Sequence, residues 1–79
     1  MNYGEVFAVI RDVIAEIVGA EPEDITPETE LGEYNIDEMD MTEIGYNAEE
    51  EFEIEVSEDE FMALETVDEI VKYVLANIN

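Results

Sequence analysis

Tyr3, Val6, Phe7, Ile10, Val13, Ile14, Ile17 and Val18 recur at alternating steps of three and four, which puts them on one stripe of a helix of about four to five turns. A strand alternates its faces every second residue and cannot present that set together. Gly19 follows as a left-handed C-cap and Pro22 blocks continuation, so the helix is expected to end near Val18. The same stripe returns at the other end of the chain in Val67, Ile70, Val71, Val74, Leu75 and Ile78. There Thr66 and Glu69 form the Thr-x-x-Glu box that opens a helix. Any fold for this chain must pair two strongly amphipathic helices.

The remainder of the surface is acidic. Arg11 and Lys72 are the only cations against 24 carboxylates, for a net charge of −22. That excludes nucleic acid as a partner, since phosphate binding needs clustered Lys and Arg, and it favours basic partners or loosely held divalent cations. Acidity of this degree also occurs in disordered chains, but 47% hydrophobic residues at helical spacing are enough to bury a core. Mutual repulsion among the carboxylates predicts a fold that gains stability from added salt or magnesium. With 79 residues the expectation is one domain, 1–79, without the help of a disulfide because there is no cysteine. Met1 to Glu5 lack the basic start and apolar run of a signal peptide, and no apolar stretch approaches a membrane span. A cytoplasmic monomer is the resulting expectation.

Between the two stripes, Ala20 to Asp37 reads as a long connection that carries Pro22, Pro27 and Gly32. Structureless loops of this length are uncommon in compact domains, so Ile25, Leu31, Tyr34 and Ile36 are expected to pin it to the helices, with Asp24 capping a short turn. A second helix should open near Asp37 or Glu38 and run to about Glu51, with Met41, Ile44, Ala48 and Phe52 inward. Its first turn is rich in carboxylates, which suits the positive end of a helix. Gly45 costs about 1 kcal/mol relative to Ala in mid-helix, which implies close packing or a weak turn. Ser57, followed by Glu58-Asp59-Glu60, predicts a capping box for a short third helix anchored by Phe61 and Leu64. The architecture expected is all-α: a small antiparallel four-helix bundle of three longer helices, with the short one as a lid.

Dedicated chemistry is hard to find. Ser57 is the only serine, and with no histidine anywhere and no lysine nearby it lacks a base, so a cap is its expected role. Zinc has no Cys or His ligands, and the acidic runs lack the spacing of a calcium loop. Carboxylate pairs such as Asp37 and Asp40 could act as acid and base only in a cleft, and the pattern offers no obvious one. No catalytic residue, no specific metal site and no enzyme are expected.

The run Asp37-Glu38-Met39-Asp40-Met41-Thr42-Glu43-Ile44, with Glu49-Glu50-Glu51-Phe52, Glu55-Val56, Thr66-Val67 and Tyr73-Val74, resembles the acyl carrier protein pattern without a gap from 37 to 74. The first helix and Asp24-Ile25-Thr26 fit it more loosely. In that family the serine of an Asp-Ser-Leu triplet at the start of the second helix carries a phosphopantetheine arm through a phosphodiester, and the arm's thiol holds the acyl group. The resemblance puts Glu38 at the serine position, flanked by Asp37 and Met39. A carboxylate cannot make that bond, so no cofactor is expected here although the family implies one.

A second departure lies just upstream. The Leu-Gly pair that normally precedes the triplet stands several residues early, as Leu31-Gly32, with Glu33-Tyr34-Asn35-Ile36 intervening. Aligning on that pair would bring Asn35 to the serine position and still supply no hydroxyl. Thr42 is a turn further on. What the resemblance does retain is the acidic docking face of helix two, through which the family is recognised by basic surfaces of acyl-chain or phosphopantetheine-handling enzymes. Here its candidates are Asp37, Glu38, Asp40, Glu43, Glu49, Glu50 and Glu51. Two functions stay open. One is an acyl carrier protein-like member of a fatty acid or related acyl or polyketide pathway that lacks its arm. The other is an interaction or regulatory module that docks on carrier-recognising enzymes and never holds an acyl chain.

Overall fold

A computed structural model describes residues 1–78. Four helices follow one another, α1 (Tyr3–Val18), α2 (Glu38–Phe52), α3 (Glu58–Met62) and α4 (Val67–Asn77), with 3-10 turns at Pro22–Asp24 and Leu31–Tyr34 in the long connection. No strand occurs among the described residues, only an isolated bridge between Glu30 and Thr66. The all-α, four-helix architecture expected from the stripes is the one observed.

The helix ends follow local chemistry. Asn2 and Glu5 form a reciprocal box at the start of α1, with Asn2 Oδ1 accepting from the Glu5 N–H at 2.9 Å and Glu5 Oε1 accepting from the Asn2 N–H at 3.0 Å. Gly19 closes α1 at φ 73°, in the left-handed region that glycine enters at no steric cost. The expected Thr66–Glu69 box opens α4. α2 runs one residue beyond the expected Glu51 and stops at Glu53, itself left-handed at φ 54°.

α1 and α4 share the largest interface in the molecule. Val6, Ile10 and Ile14 from one and Val67, Ile70, Val71 and Val74 from the other are almost wholly excluded from solvent. At the first turns of the two helices, the Tyr3 hydroxyl donates to Asp68 Oδ1. α2 adds Met41, Ile44, Ala48 and Phe52 to the same core, as its spacing requires.

Two expectations need correction. Asp24 does not cap a turn. It is the last residue of the Pro22–Asp24 turn, whose preceding residue supplies no side-chain cap. Ser57 does stand at the N-cap of α3, but its side chain makes no capping bond and the Ser57–Glu60 box is absent. Tyr73 of α4 has inserted itself there. Its hydroxyl accepts the Ser57 N–H at 2.9 Å and lies 3.4 Å from Glu60 Oε1, to which it donates. The phenol thus bridges the two groups that a box would have joined directly, while its ring meets Phe61 edge-on at 5.7 Å. With Phe61 fully buried, α3 is part of the core rather than a cover over it.

The long connection is ordered by the start of α4. Pro27, Thr29 and Leu31 meet it through three backbone bonds, Asp68 N–H to the Pro27 carbonyl at 2.9 Å, Val67 N–H to the Thr29 carbonyl at 3.0 Å and Leu31 N–H to the Glu65 carbonyl at 2.9 Å. Two of these satisfy N–H groups of the first turn of α4, which have no partner within their own helix. Ile25 and Leu31 are buried and Tyr34 and Ile36 half-buried against the core, as expected. Asn35, which one alignment would bring to the attachment position, instead ends the second 3-10 turn in the left-handed region at φ 55°, a conformation that Asn tolerates.

Candidate functional site

Glu38 is the first residue of α2. Its neighbour Asp37 is the N-cap, with Oδ1 accepting from the Asp40 N–H at 2.9 Å, and Asp40 returns the bond through Oδ2 to the Asp37 N–H at 3.3 Å. This reciprocal box engages one oxygen of each carboxylate in holding the helix start. Glu38 has no such duty. It stands exposed at the mouth of a cleft of about 540 Å³, whose walls bring Leu31, Ile36, Met41, Met62 and Leu64 together with Glu30, Asp37 and Glu65. A cleft therefore exists where the sequence pattern offered none. It stays hidden in the sequence because its sides come from the long connection, α2 and the α3–α4 junction. The Thr42 hydroxyl does not enter it, since Thr42 Oγ1 donates to the Glu38 carbonyl at 3.0 Å within the helix.

The seven candidate docking carboxylates do not form one face. At about 100° per residue, Glu43 and Glu50 lie opposite the buried row of Met41, Ile44 and Ala48. Asp40 turns towards α1, where with Glu43 it borders a groove that also contains Glu16. Glu49 is half-buried and turned back, with Oε2 accepting the Val56 N–H at 3.0 Å, and so ties the α2–α3 connection to the helix. Glu51 is exposed, and Asp37 and Glu38 border the cleft. Glu43 and Glu50 lie most nearly opposite the buried row. With them go Met39 and Tyr46, 80% and 67% exposed. The sequence reading named Met39 only as a flank and passed over Tyr46, although a seven-residue spacing opposite an apolar row was there to be read.

Between α2 and α3 a smaller cavity of about 80 Å³ is bounded by Met41, Gly45, Phe61 and Met62, among others. Gly45 is closely packed. A Cβ built there would lie 3.6 Å from the Phe61 ring and 3.7 Å from Val56. Both cations are already paired, Arg11 with Asp12 at 3.0 Å and Lys72 with Asp68 at 3.1 Å. Tyr3 and Asp68 are the groups whose protonation the fold biases. Burial first, and then the hydrogen bond and charge of Asp68 with Glu28 nearby, push the Tyr3 hydroxyl up to about 12. Asp68 is held below its usual value by the bonds from Tyr3 and Lys72. Neither lies at the cleft. Among the described residues no three carboxylates converge as a metal site.

Residues 8–74 match the family model described as phosphopantetheine attachment site. The chain belongs to this family. It is 38% identical over 72 residues to an acyl carrier protein of Lactococcus lactis, covering 91% of this chain and 96% of that protein. It is 32% identical over 71 residues to the meromycolate extension acyl carrier protein of Mycobacterium tuberculosis, covering 89% of this chain. It spans 62% of the length of that mycobacterial relative. Its fold is that of a free-standing peptidyl carrier protein from a secondary metabolic pathway of Acinetobacter baumannii, with a TM-score of 0.83 at 20% identity over 95% of this chain and 94% of the other. The named relatives are acyl carrier proteins, which are carriers and not enzymes. No helix among the described residues is long and apolar enough to cross a membrane.

The family attaches phosphopantetheine, and the first turn of α2 does not fit that linkage. Its exposed outward group at the cleft is the Glu38 carboxylate, the Thr42 hydroxyl is committed to a backbone carbonyl, and Ser57 stands at the start of α3, held by Tyr73.

Proposed function

We propose that this chain is a divergent acyl carrier protein-like domain of a fatty acid or related acyl or polyketide pathway that carries no phosphopantetheine in this form, its acidic α2 retained for docking. The observation that carries the reading is Glu38 itself, an exposed carboxylate as first residue of α2 at the mouth of the cleft. Asn35 sits in a left-handed turn before the helix, which supports the alignment that brings Glu38 to the attachment position. The alternative is a regulatory module that never held an acyl chain. It draws support from the remodelled Glu33–Ile36 segment, because change around the site exceeds the loss of one hydroxyl. In either case the partners are basic surfaces of acyl-chain or phosphopantetheine-handling enzymes, steered by a surface whose cations are both neutralised. Divalent cations bind only loosely, as neutralising charge, and the protein acts as a cytoplasmic monomer.

Coexpression with a broad-specificity phosphopantetheinyl transferase, followed by intact mass spectrometry, tests the proposal. The expected spectrum shows only the unmodified chain. A mass increment derived from coenzyme A would overturn it and direct attention to Ser57 and Thr42.

A further inference from the structure

The large cleft has apolar walls, built by Leu31, Ile36, Met41, Met62 and Leu64, and four carboxylate residues that arrive at it as two pairs. Glu30 and Glu65 are brought together across the backbone, by the bridge between Glu30 and Thr66 and by the Leu31 N–H, which donates to the Glu65 carbonyl at 2.9 Å. Asp37 and Glu38 are consecutive, at the cap and the first residue of α2. Neither side-chain cation of this chain answers these charges. Arg11 and Lys72 are paired with Asp12 and Asp68, and neither borders the cleft.

We infer that the cleft binds an aliphatic diamine, whose two ammonium groups meet the Glu30–Glu65 and Asp37–Glu38 pairs while its methylene chain lies along the apolar walls. The inference rests on the reading that Glu38 stands free of phosphopantetheine. A volume of about 540 Å³ suits a small molecule, and chemistry narrows the class. Among the described residues no three carboxylates converge to hold a metal ion, and a bare ion would leave the apolar walls uncovered. A fatty acid or phosphate ester would bring negative charge against four carboxylates. A neutral apolar ligand would strip water from those carboxylates and return no hydrogen bond. A diamine answers each pair with charge-assisted hydrogen bonds, and its chain gains by leaving water. All four carboxylate residues are exposed, so each ion pair contributes little. Affinity therefore depends on both ends engaging at once, which a monoamine cannot do.

Methionine methyl resonances report on the site directly, because Met41 and Met62 line the cleft while Met1 and Met39 are exposed outside it. The unmodified chain is titrated with diaminooctane, octylamine and magnesium chloride at neutral pH and fixed ionic strength. Diaminooctane is expected to shift Met41 and Met62 saturably, far more than Met1 and Met39, and to bind about tenfold or more tightly than octylamine. Glu38→Gln/Glu65→Gln removes one carboxylate from each pair and should weaken diaminooctane about tenfold. Glu43→Gln/Glu50→Gln makes the same change in net charge and should leave binding within about twofold. Circular dichroism melts verify that both double variants fold, and the comparison of ligands on the parent chain is independent of them. Absence of saturable shifts at Met41 and Met62, or equal binding of octylamine and diaminooctane, would overturn the inference. Equal loss in the two double variants, or the same shifts with magnesium, would reduce the site to bulk charge and overturn it as well. All four outcomes leave the proposed function standing. A coenzyme A-derived mass increment on the intact chain, by contrast, would overturn that reading and this inference with it.

Discussion

α1 and α4 bury Val6, Ile10, Ile14, Val67, Ile70, Val71 and Val74 and half-bury the rest of their stripes, whereas α2, of similar length to α1, buries one row and displays Met39 and Tyr46 on the opposite side. The first pair makes the fold. The second element shares that task with presenting a surface, and its inward row is the weaker for it, with Gly45 and Ala48 where α1 has Ile10 and Ile14. The difference teaches where function can be sought in a small bundle: in the helix whose pattern is diluted, because the dilution is where another demand has acted.

Substitution tests that division most severely in the core. Phe61→Ala should cost about 3–5 kcal/mol and Ile10→Ala about 2–5 kcal/mol, measured by urea denaturation, while Met39→Gln should stay within about 0.5 kcal/mol of the parent. Comparable losses from Met39→Gln would break the comparison, for Met39 would then be part of the fold. A smaller effect, of opposite sign, is expected at Gly45. The Cβ of an alanine would rest at ordinary contact distance from Phe61 and Val56, so Gly45→Ala should stabilise by about 1 kcal/mol through helix propensity. A lower urea midpoint would show that the α2–α3 packing needs the gap.

The smallest effect belongs to the contact between the first turns of α1 and α4. Tyr3 is favoured in its neutral form by the fold, with its pKa raised from 10.0 to about 12. Its contribution is therefore fully present below pH 10 and is lost as pH rises towards 12. Asp68 is lowered, so its contribution is present above the ordinary carboxylate value and is lost as pH falls through the depressed one. Tyr3→Phe should flatten both the alkaline and the acid limb of a stability profile and lower the plateau between them slightly. Identical profiles for parent and variant would show that the contact carries no linkage.

α1 and α4 were legible because burial at steps of three and four needs no partner to be recognised. The Asn2–Glu5 and Asp37–Asp40 boxes were equally local, yet the spacing was used only at Thr66 and Ser57. At Ser57 it misled, because Tyr73, sixteen residues away, occupies the bonds that a local rule assigns to the box. The cleft beside Glu38 drew its walls from three separated segments, so no window of sequence contained it. Likewise, the inward turn of Glu49 depends on the path of the chain at Val56, and only the fold distinguishes it from its neighbours Glu50 and Glu51.

Three backbone bonds fasten residues 27, 29 and 31 to the head of α4, and they divide the long connection into two parts with different freedom to evolve. Between residues 27 and 31 a single inserted residue would throw the bonded positions out of step and leave an amide of the first turn of α4 without its acceptor. Downstream, from Gly32 to Ile36, slack can be taken up in a 3-10 turn without disturbing that seam. The unfamiliar Glu33-Tyr34-Asn35-Ile36 lies wholly in the tolerant part, so the chain has been free to rewrite the approach to Glu38 while its scaffold stayed in register.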